Sequence, residues 1–220
     1  MIVATARGAP KGHPPRGMGA TVPAVPAAAL KEWASVIAAM LAGEQIVMLR
    51  KGGIGEKHFD LPHREFLLLP THVHQRPELL VPAARDTYTA ELAVTEEPDR
   101  VTLAAWCEVT AVHTVTEQRE LDAIAPFHVL GPDYASLRLR WRPTHPLVVI
   151  VARVHRVEPP LPLDMTPGMR GCRSWVPVDY TLPARAPVLG DAVFAAHAAA
   201  VAEALADAHP AMASGTATLG

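Results

Sequence analysis

The chain contains 220 residues, half of them hydrophobic and 19% of them charged, which is the balance of a globular protein with a sizeable core. The formal net charge of −2 excludes nucleic-acid binding through bulk positive charge, so any basic surface has to be local. No apolar run approaches the ~18 residues of a membrane span, and we expect a cytoplasmic protein that does not cross a membrane.

The two ends of the chain are predicted to be poorly ordered. Residues 1–26 are rich in glycine, proline and alanine and lack the continuous apolar stretch of a secretory signal, so we expect a disordered tail. Residues 210–220 are expected to fray. The two cysteines, Cys107 and Cys172, are far apart and form no CxxC pair, which favours free thiols in a reducing compartment.

The first predicted element is a helix over residues 27–42. Leu30, Trp33 and Ile37 recur at the three- and four-residue spacing that gives a helix one apolar face. Gly43 follows at a position where a helix commonly ends. The segments "QIVMLRK" and "REFLLLP" come next and predict two core strands, separated by a loop that contains glycine and proline.

Three further strands are predicted in the second half of the chain. Residues 100–115 form a long strand, and strict alternation places Val101, Leu103, Ala105 and Cys107 on one face. "SLRLRWR" predicts a half-buried strand whose outer face carries arginines. "PLVVIVARVHRV" predicts a core strand that ends at two consecutive prolines. An alanine-rich helix is expected over residues 189–208.

Because strands do not alternate regularly with long helices, the pattern predicts an α+β domain or a small barrel and not a doubly wound parallel sheet. We expect a tail over 1–26, one domain over 27–187, a C-terminal helix within 188–209 and a second tail over 210–220.

A local basic surface is the first candidate functional feature. Arginine forks suit phosphates and stack on bases, and an aromatic side chain such as Trp141 or Trp106 would stack on a base as well. A solvated sheet face would carry the same residues, so both interpretations stay open. The candidate phosphate-binding residues are Arg50, Lys51, Arg138, Arg140 and Arg142.

The segment "HVHQ" is the second candidate. On an extended chain His72 and His74 project to the same side, and Glu65 or His63 would complete a zinc or iron site. Together with Gln75 they would otherwise read the edge of a base, or form only a polar rim after a strand. The first possibility gives an alternative function: a metal-assisted hydrolase or nuclease that uses the His72 and His74 region.

Motifs of known chemistry are otherwise absent. Magnesium-dependent nucleases of the restriction-enzyme type need an acid two residues before a strand lysine, and none of the four lysines of this chain has one. "RKGGIG" follows a strand without opening a helix, so it lacks the context of a phosphate-binding loop. We expect no cofactor.

Several separated segments carry a family resemblance. "ALKEWASVIAAMLAGEQIVMLRKGGIGEKHFDLPHREFLLLPTHVHQ", "LRWRPTHPLVVIVARVHRV" and "GCRSWVPVD" resemble the bacterial domain-of-unknown-function family 1802 over about residues 28–195. That family implies no established activity.

A more distant likeness suggests a function. "AAMLAGEQIVMLRKGG" is similar to the opening of ASCH domains, with Arg50 matching and with Gln45 and Met48 replacing the lysine and glutamate of that pattern. The rhythm of the later strands resembles EVE and ASCH domains. These are PUA-like small barrels that bind RNA or modified bases, and a few hydrolyse modified nucleosides.

The resemblance and the patterns together predict an α+β protein: a small PUA/ASCH-like β-barrel with an opening helix and a C-terminal helix. The predicted function is a binding module for nucleic acid or a nucleobase-like ligand. A third class, a protein that docks a partner chain through its C-terminal helix, also fits the sequence.

Overall fold

The computed structural model describes residues 27–51, 59–141, 145–171, 173–181 and 184–209. Both predicted tails, and the candidate residue Arg142, lie outside these ranges. Within them the protein is a mixed α+β fold, as predicted, with a seven-stranded sheet and several helices.

The strands are β1 (Ala27–Trp33), β2 (Val47–Arg50), β3 (Glu65–Thr71), β4 (Arg100–Val115), β5 (Leu147–Asp164), β6 (Trp175–Val178) and β7 (Ala184–Pro187). The α-helices are α1 (Ala34–Ala42), α2 (Pro82–Thr87), α3 (Thr89–Leu92), α4 (Gln118–Ile124), α5 (Pro132–Arg140) and α6 (Asp191–Ala208). Short 3₁₀ turns cover Pro77–Leu79, Ala125–Phe127 and Pro167–Met169.

The sheet runs in the order β2-β5-β4-β3-β1-β6, with β7 paired to β5. Only β1 and β3 are parallel among these pairs. β4 pairs with one edge of β5. The other edge is shared: β2 pairs with Val148–Val151, and β7 pairs with His155–Glu158. The terminal strands β2 and β6 do not pair within the described residues, so the predicted closed barrel is not confirmed.

The predicted opening helix is wrong in its first half, because residues 27–33 form a strand between β3 and β6. Ala29 packs into one hydrophobic cluster and Leu30 into the other, so β1 is buried on both faces. A strand buried on both sides lacks the polar–apolar alternation that would reveal it. The end of α1 is confirmed at Gly43, whose φ of 80° suits glycine.

"SLRLRWR" is not a strand, and its first five residues belong to α5. Pro132 occupies the first turn, where its fixed φ favours a helix, and Asp133 complements the positive helix end. Two helical residues that are two apart point in nearly opposite directions. Arg138 and Arg140 therefore do not share the predicted arginine face.

The long strand β4 has the predicted bounds. The predicted placement of Val101, Leu103, Ala105 and Cys107 on one face is wrong. A register shift lies between Leu103 and Ala105. Such a bulge moves later residues to the other face. Val101 and Leu103 consequently pack in the second cluster, whereas Ala105 and Cys107 pack in the first.

The predicted end of β5 at its two prolines is wrong, because the strand continues to Asp164. Its last residues pair with the start of β4, from Arg100 to Leu103. Prolines are tolerated at strand irregularities, and these two lie inside the same register shift. The resulting arm packs Leu161 and Leu163 against the second cluster.

The larger hydrophobic cluster lies between the sheet and the helices. It includes buried residues of α1, α4, α5 and α6, and the strand segments "IVML" and "FLLL" supply core residues, as predicted. The predicted C-terminal helix is observed as Asp191–Ala208 and buries Phe194, Val201 and Leu205. The smaller cluster lies on the opposite face of the sheet.

Candidate functional site

Two arginines lie close to one buried carboxylate where the ends of β1 and β2 approach α5, and a lysine lies beside one of these arginines. We refer to Glu32, Arg50, Lys51 and Arg138 as the Glu32 cluster. Arg50 Nη1 donates to Glu32 Oε2 at 3.3 Å and to the Lys31 carbonyl at 3.0 Å. The side chains of Arg50 and Glu32 are only 12% and 8% exposed, so this ion pair is shielded from water.

The contact between Arg50 and Lys31 also describes the shape of the sheet. Arg50 ends β2, at one end of the strand order, and Lys31 belongs to β1, next to the other end. These two strands are not hydrogen-bonded neighbours, yet an arginine side chain spans the distance between them. The sheet is therefore strongly curled, and Arg50 bridges its open side.

Lys51 connects β2 to the end of α5. Its side-chain ammonium donates to the Leu139 carbonyl, and the residue is buried. Burial lowers the pKa of Lys51, and the positive charge of Arg138 lowers it further. A cation beside the last carbonyls of a helix is favourable, so part of the role of Lys51 is structural.

Arg138 completes the cluster from α5. Its Nε donates to the Tyr134 hydroxyl at 3.1 Å, and its guanidinium lies over the rings of Tyr134 and Trp141, at 5.5 and 6.0 Å. Tyr134 raises the pKa of Arg138, and Glu32 contributes in the same direction. The Glu32 cluster thus has three cations and one carboxylate. Arg140, the last residue of α5, is exposed.

An aromatic group adjoins the Glu32 cluster. The Arg50 guanidinium lies 5.4 Å from the centre of the Phe59 ring, and Phe59 stacks on Trp175 at 6.3 Å. His63 and Phe66 meet Trp175 edge-on at 5.1 and 5.0 Å. We refer to Phe59, His63, Phe66 and Trp175 as the Trp175 cluster.

Sequence reasoning missed Glu32 and the three aromatic members of the Trp175 cluster as parts of a site, and it named His63 only as a possible metal ligand. The signals available were the position of Phe59 and His63, just after the glycine-rich segment, and the presence of Trp175 in the motif "GCRSWVPVD". Trp175 Nε1 donates to the Asp60 carbonyl at 3.0 Å, a contact across 115 positions of sequence that no local pattern reveals.

The structure does not bring Glu65 together with His72 and His74. Glu65 begins β3, whereas the histidines follow its other end, and residues 73–74 form a turn, so the chain there is not extended. A strand of seven residues separates the two ends by roughly 20 Å. No group of three histidine, cysteine or acidic side chains in the described ranges could hold a metal ion.

Gln75 has a structural role that explains much of "HVHQ". Its Oε1 accepts from the Ser35 backbone in the first turn of α1 at 2.9 Å, and its Nε2 donates to the Glu91 carbonyl at 3.1 Å. The backbone amide of His72 donates to Glu97 Oε1 at 2.8 Å. The segment therefore fixes the start of a helix, and the metal-assisted hydrolase is not favoured.

Trp106, the second stacking candidate, is not open to a base. It is 4% exposed, and the guanidinium of Arg185 covers its ring at 4.0 Å. Trp141 is half-buried at the end of α5. Cys107 is fully buried, and burial raises the pKa of its thiol, which excludes it as a nucleophile under ordinary conditions.

Comparison with known protein families identifies the family. The profile of the domain of unknown function DUF1802 matches residues 29–200, which is most of the chain. The protein belongs to this family. No curated protein and no solved structure matches the chain, and these comparisons do not show the more distant resemblance to ASCH and EVE domains. Among the described residues, no helix has the length and apolar character needed to cross a membrane.

Proposed function

We propose that the protein binds single-stranded nucleic acid, with a phosphate held by the Glu32 cluster and a base held by the Trp175 cluster. The observation that carries this proposal is the position of Arg50, which pairs with Glu32 and also lies against the Phe59 ring of the Trp175 cluster. A cationic group beside an aromatic surface is the combination that single-strand binders use.

The charge of the Glu32 cluster supports the phosphate half of the proposal. One carboxylate cannot neutralise Arg50, Lys51 and Arg138, so the cluster keeps an excess of positive charge although the whole chain is slightly acidic. Partly buried charges are screened less by salt than exposed ones. Arg140 adds an exposed cation at the end of the same helix.

The Trp175 cluster supports the base half. Trp175 and His63 are half-buried and not fully enclosed, so part of each ring is open to a ligand. Stacking of a base on an aromatic side chain contributes about 1–3 kcal/mol and tolerates every base. The strong curl of the sheet, bridged by Arg50, is consistent with a PUA-like architecture, which we include in the proposal.

The test is a titration of fluorescently labelled single-stranded RNA, single-stranded DNA and duplex DNA by fluorescence anisotropy at two salt concentrations. We expect binding of the single strands that weakens as salt increases, because phosphate contacts release counterions. Arg140→Ala is expected to reduce the slope of log affinity against log salt by about 1, the contribution of one phosphate contact.

Arg100→Ala is the matched control. Arg100 is an exposed arginine that forms an ion pair with Asp164 at 2.6 Å on the distal arm of the sheet. The same charge is removed, but away from both clusters. Absence of binding at low salt, or an equal loss of affinity in both variants, would contradict the proposal.

A further inference from the structure

Each arginine of the Glu32 cluster has two adjacent guanidinium nitrogens with no hydrogen-bond partner in the described part of the chain. Arg50 donates through Nη1 alone, to Glu32 and to the Lys31 carbonyl, which leaves its Nε and Nη2. Arg138 donates through Nε alone, to Tyr134, which leaves its two terminal nitrogens. Two adjacent guanidinium nitrogens form a fork that binds two oxygens of one phosphate. The cluster therefore presents two such forks.

Both forks keep contact with solvent, but only over a small surface. Arg50 and Arg138 are half-buried, and neither contributes a nitrogen to the buried polar atoms that lack a partner in the described ranges. The surroundings are tightly packed, since the Arg50 side chain is 12% exposed and the paired Glu32 side chain 8%. Lys51 is only 4% exposed. A group that reaches both forks therefore has to enter end-on.

The two kinds of phosphate in a nucleic acid differ in how well they fit this arrangement. A phosphodiester within the strand carries one negative charge, has two non-bridging oxygens, and is continued by the chain on both sides. A terminal phosphate monoester carries a charge of about −1.5 to −2 at neutral pH and has three accepting oxygens. The strand leaves it on one side only. Three oxygens satisfy two forks that share one of them, whereas two oxygens satisfy the forks less completely.

We propose that the Glu32 cluster binds the terminal phosphate of a single strand in preference to a phosphodiester within it. This inference rests on the proposed function and specifies which phosphate the site selects. The excess positive charge that remains after Glu32 is counted is compensated more fully by a terminal phosphate than by a monoanionic diester. The Phe59 ring, 5.4 Å from the Arg50 guanidinium, places an aromatic surface for the terminal base beside the phosphate.

The test measures binding of the full-length protein to single-stranded hexanucleotides by fluorescence anisotropy at constant ionic strength, with the fluorophore on an internal base. The three probes carry a 5′-phosphate, a 3′-phosphate, or hydroxyl groups at both ends. An octanucleotide with hydroxyl ends is the control for charge, because its two extra phosphodiesters supply about the charge of one terminal phosphate. We expect at least one phosphorylated hexanucleotide to bind about tenfold more tightly than both hydroxyl-ended strands, the scale of a hydrogen bond to a charged group.

Arg138→Lys locates the preference. This variant keeps the positive charge and removes the fork, so we expect it to bind phosphorylated and hydroxyl-ended hexanucleotides with nearly equal affinity. Its retained binding of the hydroxyl-ended strand also reports that it is folded. Arg100→Lys makes the same change in the exposed pair with Asp164 on the distal arm of the sheet, and this matched control is expected to keep the tenfold preference.

The possible failures are distinguishable. Equal affinity of the wild type for all three hexanucleotides would overturn this inference and leave the proposed function standing, whereas absence of binding to every strand at low salt would overturn both. An octanucleotide that binds as tightly as the phosphorylated strand would show that total charge, and not a terminal group, decides the affinity. A full preference in Arg138→Lys would also overturn the inference, because the fork would then have no part in it.

Discussion

Two charged parts of the sheet differ in how their charges are satisfied. In the Glu32 cluster the carboxylate is buried and accepts from the Trp33 amide and from Arg50, at 2.8 and 3.3 Å. On the opposite face of the sheet, Glu65 and Glu108 are exposed and lie directly opposite each other on β3 and β4. The Glu32 cluster therefore braces the fold while keeping excess positive charge, whereas Glu65 and Glu108 repel each other at the surface.

The largest effect is expected from Glu32→Gln. Removing one member of a buried ion pair leaves the other charge uncompensated, so we expect the free energy of unfolding to fall by about 4 kcal/mol. Urea denaturation measures this change. Asp164→Asn breaks the exposed pair with Arg100 and is expected to cost less than about 1 kcal/mol. Equal losses of unfolding free energy in the two variants would show that burial does not increase the contribution of the Glu32 pair to stability.

The next largest effect on stability is expected from His128, a buried ionisable residue outside the Glu32 cluster. Burial lowers the pKa of His128 from 6.5 to about 4. Between these values the unfolded chain binds the proton and the folded protein does not. Stability should therefore fall by about 3 kcal/mol as the pH decreases from about 6.5 to about 4.

His128→Phe tests this origin of acid sensitivity. The variant lacks the titrating group, so its free energy of unfolding should change less across the same pH window. His74→Gln removes an exposed histidine and should keep the wild-type pH dependence. If His128→Phe keeps it as well, the acid sensitivity comes from other groups.

The smallest expected effect is an increase in stability. Glu108→Gln relieves the repulsion from Glu65, so we expect the free energy of unfolding to rise by about 0.5 kcal/mol. Thermal unfolding at low salt measures the increase. A decrease would mean that Glu108 makes a stabilising interaction, and the contrast of this pair with the Glu32 cluster would be lost.

The sequence predicted the elements whose polar–apolar pattern is simple. The bounds of β4 and the core strands "IVML" and "FLLL" follow from one-sided or continuous burial. The pattern failed at "SLRLRWR", since alternation of leucine and arginine over five residues fits a strand as well as a helix. The helix signal lay upstream, in Pro132 and Asp133.

The candidate site was predictable only in part. Arg50, Lys51 and Arg138 were named from the sequence as a basic surface; the structure brings Arg50 and Arg138 close to Glu32 and places Lys51 beside Arg138. The role of Glu32 could not be inferred, because the contact between β1 and β2 depends on the curl of the sheet and not on strand pairing. Trp175 lies far along the chain and was missed for the same reason.

The most direct test of the central claim is an NMR titration with a short single-stranded oligonucleotide that follows the Nε–Hε signals of arginine and the indole signals of tryptophan. We predict that the signals of Arg50, Arg138 and Trp175 shift together with saturation, while that of Arg100 does not. Shifts confined to residues outside the Glu32 and Trp175 clusters, or no shifts at low salt, would contradict it.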